Sequence, residues 1–308
     1  MFSRILAPLD GSATAEQIFP YLHLIVKGLQ LPVELVRVVE HLPPEWMDWV
    51  IGREPLLIAA ALGQHAQEYL AGVEKSLAEA GLKVQSQICS GDADSAIVSL
   101  AAADPDALLA MCTHGRSGMA RWLLGSVTEK VLHSTTNPLF IVRAREEASS
   151  TADVALETVI VPLDGSRLAE QVIPYVITFA EAFQLEVLLV RVTLPTEDRY
   201  RSLGYPLAPY ADLANDMDEL AADYFRQLKR KLLQQGVANV EDKLLHGNPA
   251  DAIVELAQET PQSLIAMTSH GRSGIGLWAL GSVAHKVVTH ADNPVLLVRA
   301  RDDPFQET

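Results

Sequence analysis

The sequence is poor in cysteine and in positive charge. Cys89 and Cys112 are the only cysteines among its 308 residues, so no framework of disulfides can hold the chain together. Lysine and arginine together number 24 against 39 acidic residues, which leaves a formal net charge of -15. This charge disfavours a surface for nucleic acid or for an anionic membrane. Any phosphate group that the protein holds must therefore be bound locally.

Long apolar segments are also missing. No uncharged apolar run is long enough to span a bilayer, and the first residues lack the apolar core of a signal peptide. We therefore expect a cytoplasmic protein with no membrane partner and no nucleic-acid partner.

Several catalytic patterns are absent as well. The sequence contains no GxxxxGK[ST] loop, no GxSxG elbow, no HExxH pair and no cysteine pairs with zinc spacing. It nominates no catalytic residue and no metal site. Whether the protein has any enzymatic turnover is left open.

What the chain does contain is a repeat of domain size. The segment 5–12, ILAPLDGS, matches 159–166, VIVPLDGS, and the segment 111–143 aligns without gaps with its near copy at 267–299. The length and the 49% hydrophobic content are enough for two sizeable cores. We predict a first domain at 1–145, a polar linker at 146–157 and a second domain at 158–302.

Within each copy, apolar strands alternate with helical segments, the first helix being predicted at about 13–29. This order is typical of a parallel sheet that is covered on both faces. The predicted fold class is α/β, with two tandem doubly wound domains, each a five-stranded parallel sheet with helices on both faces. Ligands of such sheets bind beyond the carboxyl ends of the strands. In each copy those ends carry an aspartate, Asp10 or Asp164, and a glycine-rich loop that leads to a helix.

The loops have the composition of an anion site. Small residues let a ligand approach the backbone, and the amides at the start of a helix attract phosphate. Gly125-Ser126 and Gly281-Ser282 stand at the predicted helix starts.

These residues resemble the universal stress proteins in their tandem-domain form, over nearly the whole chain. The nucleotide-binding branch of that family has a glycine, two residues, a second glycine, nine residues and then glycine with serine or threonine. Gly115 and Gly271 occupy the second glycine position, and the Gly-Ser pairs occupy the third. Cys112 and Thr268 stand where the family has its first glycine. Because β-branched Thr268 is the bulkier, we expect the first domain to be the better site.

The resemblance implies that the ligand is ATP or a related adenine nucleotide, with or without Mg, bound in one or both domains. The aspartates would meet the adenosine, apolar residues would surround the base, and the glycines and serines would hold the phosphates. The implied binding residues of the first domain are Pro8, Leu9, Asp10, Val38, Met111, Cys112, His114, Gly115, Arg116, Gly118, Gly125 and Ser126. Those of the second domain are Pro162, Leu163, Asp164, Val192, Met267, Thr268, His270, Gly271, Arg272, Gly274, Gly281 and Ser282.

Structural roles compete with some of these assignments. Ser126 and Glu129 form a capping-box pattern, so the serine hydroxyl could serve its own helix. The two aspartates could be turn formers at strand-to-helix corners. For His114 and His270 we favour hydrogen bonding within the loop over metal binding or catalysis.

The side chains of Arg116 and Arg272 could reach a phosphate or remain solvated. For Cys112 we favour a buried, inert residue over an oxidant sensor.

Two functional hypotheses remain. In the first, the protein is a stress-response regulator whose nucleotide occupancy changes the surface that it offers to a protein partner, with slow ATP hydrolysis at most. In the second, it is an interaction module with vestigial nucleotide sites, and the stretches 40–56 and 195–217 carry recognition. The family further implies that the closing strands, 139–142 and 295–298, pair within one chain as a pseudo-dimer. A homodimer of chains remains an alternative.

Overall fold

The structure is a computed structural model that describes residues 2–40, 55–113, 124–144, 154–193, 211–271 and 280–300. The side chains of 55–57 and 211–218 are not described. The chain divides into two compact units, 1–154 and 155–308. Most of the predicted linker lies outside the described residues, so the predicted domain bounds stay a prediction.

The first unit is a five-stranded parallel sheet in the order β3-β2-β1-β4-β5. Its strands are β1 (Ile5–Pro8), β2 (Val33–Val39), β3 (Val84–Ser90), β4 (Leu108–Cys112) and β5 (Leu139–Val142). Its helices are a 3₁₀ turn (Ala15–Ile18), α1 (Phe19–Leu29), α2 (Pro55–Glu79), α3 (Ala93–Ala102) and α4 (Ser126–Ser134).

The second unit repeats this order, with its strands arranged β8-β7-β6-β9-β10 and all pairs parallel. Its strands are β6 (Thr158–Pro162), β7 (Glu186–Thr193), β8 (Val240–His246), β9 (Ser263–Thr268) and β10 (Val295–Val298). Its helices are α5 (Arg167–Glu170), α6 (Ile173–Phe183), α7 (Ala211–Gln234), α8 (Pro249–Glu259) and α9 (Ser282–His290).

The strand order explains how each sheet is covered on both faces. Crossovers between parallel strands are right-handed, and the direction of crossing reverses after β3. The helices that follow β1 and β2 therefore lie on one face, and those that follow β3 and β4 lie on the other, where α3 contacts α4. Strands β4, β5, β9 and β10 are buried at every residue, as both-face coverage requires. The predicted fold class is confirmed.

The first helix differs from its prediction at 13–29. The structure has a 3₁₀ turn at 15–18 and then α1 from Phe19, and a short α5 precedes α6 in the second unit. The cause is Pro20, and Pro174 in the repeat, because a proline lacks an amide hydrogen and its ring crowds the preceding turn. The break keeps the residues after Asp10 in a tight turn at the edge of the sheet.

The Asn-Pro break before each closing strand has a structural cause. Asn137 is fully buried and donates from Nδ2 to the carbonyl oxygens of Asp104, at 2.8 Å, and Ala107, at 3.1 Å. Asn293 occupies the same place in the second unit and donates to Ser263 Oγ at 2.9 Å. Each asparagine therefore ties the start of its closing strand to the beginning of the neighbouring strand or to the residues just before it.

None of the helices in the described part of the chain is long and apolar enough to cross a membrane.

Candidate functional site

A cavity of about 630 Å³ opens at the carboxyl edge of the first sheet. It lies where β1 and β4 end beside the start of α4. Neighbouring parallel strands bring their carboxyl ends to one edge, so segments distant in sequence meet there. Each described site residue of the first domain contributes to this lining: Pro8, Leu9, Asp10, Val38, Met111, Cys112, Gly125 and Ser126. The remaining predicted residues, His114, Gly115, Arg116 and Gly118, lie outside the described residues.

Asp10 forms a tight turn at the end of β1. Its Oδ1 accepts hydrogen bonds from the amide of Ser12 at 2.9 Å and from the hydroxyl of Ser12 at 2.6 Å. The same hydroxyl accepts from the amide of Ala15 at 3.1 Å, and Gly11 supplies the positive φ of 76° that the turn needs. Asp10 is therefore a turn former, as one interpretation predicted. The turn also holds its carboxylate at the cavity.

The capping-box interpretation of Ser126 is wrong. The N-cap of α4 is Gly125, and Ser126 is the first residue of the helix, with no side-chain cap. The amide of Gly125 donates to the carbonyl oxygen of Thr113 at 2.7 Å, and Thr128 Oγ1 donates to that of Cys112 at 3.1 Å. These two bonds fix the start of α4 against the end of β4. The first amides of the helix, which lack partners within it, therefore begin at the cavity.

Cys112 lies in the cavity wall and is 6% exposed. Its thiol lies 3.6 Å from the carbonyl oxygen of Ala15 in the 3₁₀ turn. Burial raises the pKa of the thiol, and the charge of Asp10 raises it further. Because the thiolate is the reactive form, these surroundings favour the inert interpretation of this cysteine.

We expect a thiol reagent at pH 8 to modify Cys89 in the native chain much faster than Cys112. Cys89 lies half-buried in the edge strand β3, whereas each unit by which the pKa of Cys112 rises lowers its thiolate fraction about tenfold. The absorbance of the group that the reagent releases measures the labelling rate of each thiol. In the Cys89→Ser variant, rapid native labelling should disappear and one thiol should appear only on unfolding. Fast labelling of that variant without denaturant would contradict the burial of Cys112.

The second unit has a smaller cavity of about 270 Å³ at the equivalent edge. This cavity is lined by every predicted site residue of the second domain that the structure describes: Pro162, Leu163, Asp164, Val192, Met267, Thr268, His270, Gly271, Gly281 and Ser282. Arg272 and Gly274 lie outside the described residues. Asp164 repeats the turn of Asp10, since its Oδ1 accepts from the amide of Ser166 at 2.9 Å.

The segment after β9 is tied down by its own polar groups. Thr268 Oγ1 donates to the carbonyl oxygen of His270 at 2.7 Å, and His270 Nδ1 lies 3.1 Å from Ser269 Oγ. The amide of Gly281 donates to the carbonyl oxygen of Ser269 at 2.9 Å. His270 therefore takes part in hydrogen bonding within the loop, as the favoured interpretation predicted. His114 lies outside the described residues.

Sequence reasoning missed a partly buried polar cluster beside the first cavity. Arg37 lines the cavity while 7% exposed, and its guanidinium carbon lies 5.4 Å from the centroid of the Tyr69 ring. The Tyr69 hydroxyl donates to Glu16 Oε1 at 2.9 Å. Burial raises the pKa of Tyr69, and the hydrogen bond to Glu16 raises it further. The tyrosine is therefore a neutral donor that links α2 to the turn behind Asp10.

The second unit has the same three residue types at the matching positions, but without the hydrogen bond. The hydroxyl of Tyr224 has no hydrogen-bond partner among the described residues. Burial raises the pKa of Tyr224, and the charge of Glu170 raises it further, while Arg191 acts in the opposite direction. These three residues occupy positions that match Tyr69, Glu16 and Arg37 in the repeat. The presence of the same tyrosine, glutamate and arginine in both copies was the sequence signal that could have identified the cluster.

Metal ligation has no candidate in the described ranges. They contain no group of three or more histidine, cysteine, aspartate or glutamate residues that could hold an ion.

The comparison with protein families matches this chain twice. The model of the universal stress protein family matches residues 1–143 and again residues 155–299. A universal stress protein of Mycolicibacterium smegmatis is 22% identical over 96% of this chain and 97% of its own length. One from Methanocaldococcus jannaschii is 30% identical over 46% of this chain and 81% of its own length.

Solved structures agree on the fold. A universal stress protein from Archaeoglobus fulgidus superposes with a TM-score of 0.71 at 21% identity, covering 97% of this chain and 98% of that one. A putative universal stress protein from Pseudomonas aeruginosa superposes with a TM-score of 0.65 at 12% identity, covering 97% of this chain and 93% of that one. At such identities the similarity concerns the fold alone.

Proposed function

This chain belongs to the universal stress protein family, and we propose that it is a stress-response regulatory protein that binds ATP or a related adenine nucleotide in its first domain. The observation that carries the proposal is the meeting of three features in one cavity. An aspartate turn, an apolar wall and a helix N-terminus all line it. Its volume of about 630 Å³ falls within the range of small-molecule sites.

Each part of the cavity suits one part of the nucleotide. The apolar side chains of Val38, Met111 and Leu9 would pack against the flat base. The carboxylate of Asp10 suits the ribose because carboxylate oxygens accept hydrogen bonds from hydroxyl groups. The amides at Gly125 and Ser126 suit the phosphates, since a helix N-terminus favours negative charge.

The predicted loop residues would complete the phosphate site. Gly115 and Gly118 would allow the backbone to approach the phosphates, and Arg116 would offer a charged donor. The overall charge of -15 makes such local donors necessary for a polyphosphate. A Mg ion would arrive with the nucleotide, because the described residues supply no cluster to hold one.

We propose regulation and not turnover as the use of the site. The sequence lacks the common hydrolytic motifs, and no side chain stands out as one that would position an attacking water. Occupancy would act by favouring one surface conformation over another, which requires different nucleotide affinities in the two states. The proposed setting is the cytoplasm, where ATP is available.

Acid extraction of the purified chain, followed by chromatography and mass spectrometry, tests the proposal without assuming the ligand. We expect adenine nucleotide, either carried through purification or retained after incubation with millimolar ATP and rapid desalting. Denatured chain treated in the same way is the control. If the native chain retains no more nucleotide than the denatured chain, the binding proposal fails. The interaction module with vestigial sites would then replace it.

A further inference from the structure

We propose that the Thr268 hydroxyl holds the loop segment 268–271 closed against Asp164, so that the second domain blocks its own nucleotide site. The proposal rests on the nucleotide function proposed above and assigns Thr268 as a positioning residue. It predicts one nucleotide per wild-type chain, bound in the first domain.

The closed contact is made by Gly271. A Cβ atom added to Gly271 would lie 2.9 Å from Cγ of Asp164, which is closer than side-chain atoms approach one another. It would also collide with Oδ2 of Asp164. The backbone of Gly271 therefore lies directly against the carboxylate, and only glycine fits there. This is the carboxylate that would meet the ribose in a nucleotide site. Gly271 therefore covers the Oδ2 side of this carboxylate and narrows the approach of a ribose to it.

Thr268 holds this arrangement in place. Its hydroxyl donates to the carbonyl oxygen of His270 at 2.7 Å, one residue before Gly271. The side chain is 5% exposed, so little water competes for the bond. The base of the loop is also fixed, because Ser269 is fully buried and its Oγ accepts from the amide of Ala300 at 3.3 Å. The Thr268 bond and the contact of Ser269 Oγ with His270 Nδ1 extend this order forward to His270, and only the Thr268 bond holds the backbone of His270.

The first domain has a different residue at the matching position. The thiol of Cys112 is directed at the carbonyl oxygen of Ala15, in the turn beside Asp10. A thiol is also a much weaker donor than a hydroxyl. The cavity of the first domain is also larger, at about 630 Å³ against 270 Å³ in the second domain. The smaller value falls below the usual range for ligand pockets.

Steric crowding by Thr268 would block the site by a different mechanism, and two variants separate the mechanisms. Thr268→Val keeps the β-branched shape and removes the donor. Thr268→Ser keeps the donor and removes the methyl group. If the hydroxyl closes the loop, valine opens it and serine does not. If bulk blocks the ligand, serine relieves the block and valine does not.

Amide hydrogen exchange tests the closed loop without any nucleotide. A hydrogen bond of this kind contributes roughly 0.5–1.5 kcal/mol, which corresponds to an exchange rate at 268–271 that is about two- to tenfold higher in Thr268→Val. Thr268→Ser should match the wild type. Thermal unfolding of each variant checks that the domain remains folded, and exchange in the distant strand β8 provides an internal reference. Equal exchange in all three chains, or faster exchange in the serine variant alone, would overturn the proposal.

Nucleotide affinity is then measured with the first site disabled by Asp10→Ala. In that background, Thr268→Val should raise ATP affinity about two- to tenfold, and Thr268→Ser should leave it unchanged. No gain with valine would overturn the proposed blocking of the site, even if exchange had increased. A wild-type chain that bound no ATP, alongside a valine variant that did, would instead refute the proposed function of the first domain and support the blocked second site.

Discussion

Replacing Asp10 by alanine should weaken ATP binding roughly ten- to hundredfold. Hydrogen bonds to a charged group contribute about 1.5–3 kcal/mol, and each 1.4 kcal/mol corresponds to a factor of ten in affinity. The carboxylate lies at the cavity because the turn formed with Ser12 holds it there. Calorimetric titration of wild type and variant with ATP measures the change. An ATP affinity within twofold of the wild type would show that Asp10 does not contact the nucleotide.

Matched variants separate loss of the ligand contact from loss of the turn. Ser12→Ala removes the hydroxyl that bonds to Asp10 and to the amide of Ala15, but leaves the carboxylate in place. We expect it to weaken ATP binding much less than Asp10→Ala. Asp164→Ala makes the same substitution in the second domain, where Gly271 already lies against the carboxylate. It should leave the measured affinity unchanged, and a large loss there would place the main site in the second domain.

Replacing Phe140 by alanine should destabilise the first domain by about 3–5 kcal/mol, the usual cost for a buried phenylalanine. Phe140 is fully buried on β5, where it pairs in register with Ala110 of β4, and its ring centroid lies 5.9 Å from that of Tyr21 on α1. Removal of the ring would leave a cavity beside β4, the strand that ends at Cys112. Urea unfolding followed by circular dichroism should show a transition at lower denaturant than in the wild type.

Leucine at the same position is the matched control. The repeat places Leu296 at the equivalent point of β10, also fully buried, so the fold accepts leucine in this environment. Phe140→Leu should therefore cost much less than Phe140→Ala, since most of the apolar volume remains. Equal losses for the two variants, or no loss for alanine, would contradict the packing assigned to this strand.

The fold was predictable because the signals were redundant. Both copies alternate apolar strands with helices, and both place Asp-Gly-Ser after the first strand and Gly-Ser before the fourth helix. Strand periodicity and turn residues are local properties, so one copy confirmed the interpretation of the other. The carboxyl-edge rule for parallel sheets then indicated where the site residues should meet, and the described ones line the two cavities.

Side-chain partners were not predictable in the same way. Arg37, Glu16 and Tyr69 come from three separate segments, and no local pattern states that they touch. The contact between Gly271 and Asp164 likewise depends on distances between segments far apart in the chain. At the start of α4, by contrast, a local pattern was present but led to a wrong prediction. That pattern suggested Ser126 as the N-cap of this helix, but the N-cap is Gly125, one residue earlier. Such patterns locate a helix start to within about one or two residues.

In the proposed function, the first domain holds one adenine nucleotide at Asp10. The decisive measurement is isothermal titration of the 308-residue chain with ATP, with Asp10→Ala titrated under the same conditions. We expect saturable binding of one ATP per chain in the wild type, and an affinity at least tenfold weaker in the variant. Absence of saturable binding at millimolar ATP, or equal binding by both chains, would contradict it.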